Sequence, residues 1–411
     1  MSGALRVLMV SDVSPAGPGG GAERMLWEQA WRLAARGHDV RVLSRASPDS
    51  PAGRIERQGV RIDHFPVTQR SPARFIGTSI LSARRAVSGA LAGERADVLH
   101  LHQPLAGYGA LLSRSGRRLP SLYSFYSPAP LEYRSRHGMT AHHLGGWAGA
   151  LAVGALWAIE RACVRRARLV HVLSDFSAGQ LRTLYGVPTG RIVKIAGAVD
   201  VERFRPAPDR AAVRSRLGLP ADRPVLLTVR NLEARMGLDG LLRAMAILKL
   251  VAPGALLLVG GSGSRRAELE ALATSLGLAA HVRFLGFVPD AALPSYYQAS
   301  DCFVLPTRAL EGFGLVTVEA LACGTPVLGT PVGATPEVLG PLSPSLVFKS
   351  PAPEDMADDL RRFLEAKERD PDAAARLRHA CRRYAESRFG WDREVAELEA
   401  ALARVGREDP P

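Results

Sequence analysis

The stretch DCFVLPTRALEGFGLVTVEALACGTPVLGT, residues 301–330, decides the fold. It opens with an apolar run ending at Leu305, crosses a polar loop that holds Glu311, and turns at Gly312-Phe313-Gly314. It then runs through small and apolar residues to Cys323 and ends in a second apolar run at 326–330. Short unbroken apolar runs bounded by turn residues read as strands buried on both faces. A strand, a glycine-rich exit, a helix and another strand make the repeating unit of a parallel sheet. Glu311 and Glu319 stand eight residues apart around the turn. A solvated surface helix also carries such glutamates, so the neighbours must discriminate. Val316, Thr317 and Val318 are poor isolated helix formers, which means that tertiary packing fixes this helix. If it begins near Gly314, the free amides around Leu315 and Val316 and the helix dipole favour an anion there.

Working outward, the same signature recurs in PVLLTV (224–229), GALLLVGG (254–261) and HVRFLGFV (281–288). Helical periodicity fills 238–250, 265–277 and 293–300 between them. The loop after the first of these strands holds Arg230 and Arg235, two cations at the edge of a parallel sheet where ligands bind; the loop after the second contains Gly261. Three glycine-rich or cationic exits in one sheet point to a nucleotide site. The first half repeats the pattern in RVLMVSD (6–12), DVRVLS (39–44), ADVLHLH (96–102) and RLVHVLSD (168–175), with Gly37 as the stop of the first helix. VERFRPAPDR (201–210), with two prolines, separates the blocks. The fold class is α/β, two Rossmann-like doubly wound domains. The closing stretch WDREVAELEAALARV is a further amphipathic helix.

The length of 411 residues suits two such domains. Cys163, Cys302, Cys323 and Cys381 show neither CxxC spacing nor clustering with histidines, which fits a reducing, cytoplasmic setting, and MSGALRVLMVSDV lacks the pattern of a signal peptide. The net charge of +13 is uneven: residues 1–195 hold 26 Lys and Arg against 12 Asp and Glu, and the remainder holds 27 against 28. A basic first half is either a plain solvated surface or an attractor for an anionic substrate or lipid head groups. No nucleic-acid motif accompanies it. LGGWAGALAVGALWAI, 144–159, is uncharged but shorter than a bilayer span; it is expected as a helix buried in the first domain, or else as an interfacial segment followed by Arg161, Arg165, Arg166 and Arg168.

GPGGGA after the first strand satisfies G-x-G-x-x-A through Gly17, Gly19 and Ala22, a dinucleotide fingerprint. The acidic residue that should end the second strand is replaced by Ser44 and Arg45, so an oxidoreductase for a phosphorylated ribose is a minor alternative. The physical content that survives is close backbone approach to an anion at Gly19, Gly20 and Gly21.

Residues 284–339 resemble the C-terminal signature of the retaining family-4 glycosyltransferases, including their E-x7-E element. The GGGAE loop, HLH at 100–102, R-x4-R-x-G at 230–237 and the tryptophan-bearing last helix at 391 extend the likeness over almost the whole chain. The resemblance implies a GT-B fold with two domains facing across a cleft. It places an acceptor-binding domain at 1–198 plus a crossing helix at 388–411, and a donor-binding domain at 199–387. It implies a nucleotide-diphosphate sugar as co-substrate, no other cofactor and no metal. Glu319 would bind the donor ribose and Glu311 the transferred sugar, assisted by the backbone of Gly312, Phe313, Gly314, Leu315 and Val316 and by Gly261. Arg230 and Arg235 would neutralise the diphosphate. The departing diphosphate is the charge such a catalyst must stabilise. Asp370-Pro-Asp372, the lone DxD, reads as a solvated turn.

The chain departs from the family where a histidine usually follows the strand after HxH: Tyr126 stands there. Tyrosine hydrogen-bonds a sugar hydroxyl but is a poor base at neutral pH. Either the role is positional, or His100, His102 or His137 substitutes, or activity is impaired; the positional role is expected, and His100 and His102, two apart, share a strand face. The expectation is a metal-independent hexosyl-type transferase acting on an unknown sugar or lipid-linked acceptor in cell-surface glycan or glycolipid assembly. It would work in the cytoplasm, at an anionic inner membrane face, with no nucleic-acid partner. The alternatives are a GT-B epimerase of nucleotide sugars and a donor-binding module without turnover.

Overall fold

A computed structural model describes residues 3–15, 20–47, 50–68, 71–136 and 146–407. The chain divides into a first unit, 1–196 with 392–411, and a second, 197–391. The divisions read from sequence at 198/199 and 387/388 thus fall at 196/197 and 391/392.

In the first unit the strands are β1 (Arg6–Ser11), β2 (Asp39–Arg45), β3 (Gly53–Arg57), β4 (Val60–Phe65), β5 (Val98–His102), β6 (Ser121–Phe125), β7 (Leu169–Val172) and β8 (Ile192–Lys194). Their order is β3-β4-β2-β1-β5-β6-β7-β8, parallel except for β3, which pairs antiparallel with β4. The chain winds outward from β1 through β2 and β4, then restarts beside β1 at β5 and winds the other way. The point where the order reverses lies between β1 and β5. The helices are α1 (Gly21–Ala35), α2 (Pro72–Gly93), α3 (Pro104–Leu112), α4 (Ala129–Arg136), α5 (Gly146–Arg166) and α6 (Asp175–Gln180).

The continuous apolar character of the central strands follows from their position, covered on both faces. Leu8, Val10, Leu99, Leu101, Tyr123, Phe125, Val170 and Val172 share one core with Cys163 and Val164 of α5. At about 25 cal/mol per Å2 of apolar surface, each large aliphatic or aromatic side chain contributes roughly 1.5–3 kcal/mol. Local signals agree with this frame. Gly37 ends α1 at φ +92, where other residues are strained, and Ser71 caps α2 by accepting from the Arg74 amide at 3.4 Å.

The hairpin β3–β4 went unread. β3 is GRIER, exposed at every position, and carries no buried pattern; its turn is marked by Gln58 and Gly59 at φ +49 and +76. The expectation of a buried helix at 144–159 is corrected in part. Residues 144–145 lie outside the described residues, and α5 buries one face, with Ala152, Leu156, Ile159 and Cys163, while Trp147 and Leu151 are exposed. This helix is long and apolar enough to cross a membrane by length and composition.

The second unit has five parallel strands, β9 (Val225–Val229), β10 (Leu256–Gly260), β11 (Val282–Gly286), β12 (Cys302–Leu305) and β13 (Val327–Gly329), in the order β11-β10-β9-β12-β13. Its reversal point lies between β9 and β12. The helices are α7 (Arg210–Arg216), α8 (Leu238–Val251), α9 (Arg266–Ser275), α10 (Leu293–Ala299), α11 (Leu315–Ala322), α12 (Thr335–Leu339), α13 (Pro353–Arg369) and α14 (Pro371–Arg388). Asp370, read as part of a turn, caps α14 by accepting from the Ala373 amide at 2.8 Å. A last helix, α15 (Trp391–Arg407), belongs with the first unit except for Trp391.

Candidate functional site

In open parallel sheets, loops at the carboxyl edge diverge where strand order reverses, leaving room for a ligand. In the second unit this edge carries Arg230 just after β9 and Glu311 six residues after β12. Arg230 Nη2 donates to Glu311 Oε2 at 2.7 Å, and Thr307 Oγ1 donates to the same oxygen at 2.7 Å. Burial raises the carboxyl pKa, but Arg230, Thr307 and Arg235 together hold it below the ordinary value, so Glu311 is a carboxylate at neutral pH. Among the described residues, Arg230 Nη1 is buried without a partner, as is Thr317 Oγ1 in the first turn of α11. Buried donors are seldom left unmet, and an anion arriving at this edge would satisfy both.

Glycines bring the loops together. A Cβ at Gly237 would lie 1.8 Å from Pro306 O, one at Gly261 1.8 Å from Arg230 O, and one at Gly333 2.2 Å from Glu311 O. All three have positive φ. Arg235 Nη1 donates to Leu310 O at 3.1 Å, holding a non-glycine residue at φ +59 immediately before Glu311. Such a conformation costs on the order of 1–3 kcal/mol and persists only where the surroundings impose it. Gly314, at φ +82, opens α11, whose first amides, at Leu315 and Val316, have no intrahelical acceptor. Glu319, one turn in and 2% exposed, accepts from Tyr297 Oη at 3.0 Å. Neither glutamate faces bulk solvent.

The ring of Phe313, whose backbone the resemblance assigns to the donor, is 4% exposed and packs edge-on against Phe389, with centroids 5.7 Å apart. A Cβ on Gly197 would come within 2.7 Å of it, so Phe313 anchors the Glu311 loop in the core. Gly312, Leu315 and Val316 are partly exposed.

The first unit is built the same way at its own reversal point. Asp12, just past β1, accepts from the Leu105 and Ala106 amides at 2.9 and 2.7 Å, and Gln103 Oε1 accepts from Ser11 Oγ at 2.9 Å. The groups packed around Asp12 raise its pKa to about 6, against the two amides and Arg45. Gln103, at φ +64, precedes α3.

His100 and His102 do share a face, with ring centroids 4.0 Å apart, but both are wholly buried. His100 Nε2 shares a hydrogen bond with Ser124 Oγ, and the same oxygen meets His171 Nδ1. Burial lowers all three histidines, His102 to about 3 and His171 to about 4, so they are neutral at pH 7. His100, expected among the catalytic candidates, is instead a group of the sheet interior. Tyr126, partly exposed, shares a 2.9 Å hydrogen bond with His102 Nδ1 and stands between that histidine and the sheet edge. Burial keeps its hydroxyl protonated. Gly20 caps α1, with Glu23 so close that a Cβ would lie 2.3 Å from its carboxylate, and Gly21 begins the helix. Gly19 and His137 lie outside the described residues.

Thr307, Tyr297, Asp12 and Gln103 escaped sequence reasoning. Asp12 and Gln103 each follow a strand directly, a positional signal available once β1 and β5 are recognised as neighbours. Thr307 and Tyr297 are marked only by contacts made through folding.

Residues 209–388 match the family model described as glycosyl transferases group 1, and residues 20–198 match a glycosyl transferase 4-like domain. The chain is 31% identical over 402 residues to a D-inositol 3-phosphate glycosyltransferase of Streptomyces scabiei, covering 92% of this chain and 85% of that one. It is 32% identical to the protein of the same name from Thermomonospora curvata, covering 94% and 91%. Among solved structures, sucrose-phosphate synthase from Thermosynechococcus elongatus superposes with a TM-score of 0.80 at 24% identity, covering 97% and 99%. Anabaena HepE in complex with UDP-glucose gives 0.71 at 21%, covering 97% and 100%.

Proposed function

Because the chain belongs to the group 1 glycosyltransferases of GT-B fold, we propose that it transfers a sugar, with retention of anomeric configuration, from a nucleotide-diphosphate sugar. The observation that carries the donor half is the buried Arg230, paired with Glu311 through Nη2 and, among the described residues, unpartnered at Nη1. HepE was solved with UDP-glucose, a ligand of the kind this edge suits. In the reading offered here, Arg230 and Arg235 face the diphosphate and stabilise the charge that develops as the anomeric C–O bond breaks. The amides of Leu315 and Val316 add donors at the positive end of α11. Glu311 accepts from hydroxyls of the transferred sugar, and Glu319, steadied by Tyr297, accepts from the ribose.

The acceptor falls to the first unit, where Asp12 and Tyr126 lie at the carboxyl edge. Tyr126 positions the acceptor by hydrogen bonding, since its hydroxyl is no base at neutral pH. The relatives named above carry a phosphorylated polyol in their name, and the basic first half suits an acceptor bearing phosphate or lipid, as in cell-surface glycan assembly at the cytoplasmic face of a membrane. The chemistry is assigned to this chain's own groups and needs no metal.

A thermal-shift screen with UDP, GDP, ADP and TDP sugars, followed by NMR of the product anomer, tests the reading. One donor should raise the melting point, Arg230→Met should abolish that rise, and the product should keep the donor's configuration. An inverted product, or no response to any donor, would overturn it.

A further inference from the structure

The helices α2, α3 and α5 form one packed layer of the first unit. Phe75, Ile76 and Ile80 of α2 meet Leu105 and Tyr108 of α3 and Leu156 and Ile159 of α5, and a Cβ on Gly109 would lie 2.5 Å from Ile80 O. The turn after α3 ties both neighbours together: Ser113 Oγ shares a 3.0 Å hydrogen bond with Ser88 Oγ, and Arg166 Nη2 donates to Arg117 O at 2.7 Å.

The outer side of this layer has an unusual composition. On α5 the exposed positions 147, 151, 154, 158, 161 and 165 alternate steps of four and three, and so form one stripe. It reads Trp, Leu, Gly, Ala, Arg, Arg. Trp147 is 89% and Leu151 71% exposed, and Leu81 and Leu112 are also exposed. Arg84, Arg85, Arg114, Arg117, Arg118, Arg161, Arg165 and Arg166 are exposed, and none has a carboxylate partner among the described residues. Glu160, the single carboxylate on α2, α3, the turn and α5, is buried against Tyr123 and Tyr185. Arg6, Arg36, Arg54 and Arg61, elsewhere in this unit, are by contrast paired with acids.

From this juxtaposition of unpaired arginines with exposed Trp and Leu we infer that the α2–α3–α5 layer docks on an anionic lipid bilayer. Cations alone would suit any polyanion. Trp147 and Leu151 select an interface with an apolar interior, where tryptophan sits at head-group depth. The orientation is apt. Glu160 reaches the Ala129 amide past β6, and Leu156, four residues earlier, packs in one cluster with Leu105 at the start of α3, so the N-terminal end of α5 points to the carboxyl edge. The apolar tip therefore lies on the side of the sheet that bears Tyr126 and Asp12, where a lipid-borne acceptor would enter. The helix lies on the surface and does not cross, because its other face, with Ile159, Cys163 and Val164, is buried in the protein. The purpose of docking rests on the proposed function, but the docking itself is measurable without donor or acceptor.

The full chain, with no nucleotide sugar present, is sedimented with vesicles of phosphatidylglycerol and phosphatidylcholine and with vesicles of phosphatidylcholine alone. Binding is expected only to the anionic vesicles, weakening with salt. Arg84→Gln with Arg85→Gln should lower the partition coefficient about five-fold per residue. Trp147→Ser with Leu151→Ser should lower it and abolish the blue shift of tryptophan emission on binding, while Arg243→Gln with Arg369→Gln, exposed in the second unit, should change nothing. Equal binding to neutral vesicles, no binding, an equal loss in the second-unit variant, or self-association that Trp147→Ser with Leu151→Ser removes without any vesicle binding would each overturn the inference. Sugar release from a soluble donor is scored separately, so the failure of docking is distinct from the failure of transfer.

Discussion

Arg230 and Glu311 join across the reversal point of their sheet, 2.7 Å apart with side chains 6 and 8% exposed. Removing one partner of a buried pair strands the other, at a cost of about 3–5 kcal/mol. Arg230→Met is therefore expected to lower the urea midpoint sharply, and the double variant with Glu311→Gln to recover much of the stability while donor binding remains lost. A single variant as stable as the parent would show that the pair carries no weight in the fold. Because the folded Glu311 pKa is depressed, its contribution is complete above the ordinary value of 4.5 and lost as pH falls from there toward the folded pKa.

Sequence made the second unit legible because β10, β12 and β13 are apolar without interruption and its glycines sit where loops must touch. Gly237, Gly261 and Gly314 mark these places before any coordinates do. The same reading placed Glu311 and Arg230 at one edge but gave them separate ligands, since nothing in their spacing shows that they bind each other. The part played by the Phe313 ring is likewise invisible in the spacing, and only the close approach of Gly197 and Phe389 shows it to be an anchor. β3 was invisible because a charged edge strand has no buried face to pattern.

Tyr297 holds Glu319 by a single hydroxyl. Tyr297→Phe keeps the ring packing against Phe204 and Phe303 and removes that bond. Leaving a buried acceptor without its donor costs about 1–3 kcal/mol, so the melting point should fall, and donor KM should rise as Glu319 loses its orientation. An unchanged KM would mean that Glu319 is oriented by other contacts.

Asp301 is fully buried and accepts from Arg210, Arg214 and Lys367, each at 2.7 Å, and from the Val225 amide at 2.8 Å. Burial opposes its ionisation, yet these partners hold its pKa well below the usual 3.8. Asp301→Asn leaves the buried Arg214 uncompensated and is expected to cost about 3–5 kcal/mol. The native contribution is present above pH 3.8 and fades below it, so chemical denaturation at pH 7 and pH 3 should show a smaller gap between variant and parent at the lower pH.

The cluster of His100, His102 and His171 predicts an acid-side loss in the first unit. All three are neutral when folded and charge when unfolded, so the unfolded chain binds more protons between the ordinary 6.5 and the folded values, about 4 for His171 and about 3 for His102. Stability should fall steadily as pH drops through that window. His171→Gln should flatten part of the slope seen by hydrogen exchange at β6 and β7, and an unaltered slope would exclude His171 as its source.

Glu394 of α15 works in the opposite direction. Its carboxyl is buried, accepts from Gln29 Nε2 of α1 at 2.6 Å, and is raised to about 8, chiefly by burial. Folded Glu394 keeps its proton while the unfolded chain gives it up near 4.5, so its contribution is complete below 4.5 and is lost progressively as pH rises to about 8. Glu394→Gln keeps the size and an oxygen that can accept from Gln29 but cannot ionise. The variant is therefore expected to match the parent near pH 5 and to exceed it at pH 8 by on the order of a few kcal/mol, read from guanidinium melts. A parent that lost nothing relative to the variant between those two pH values would mean that Glu394 ionises freely, and hence that α15 leaves α1 in the folded protein.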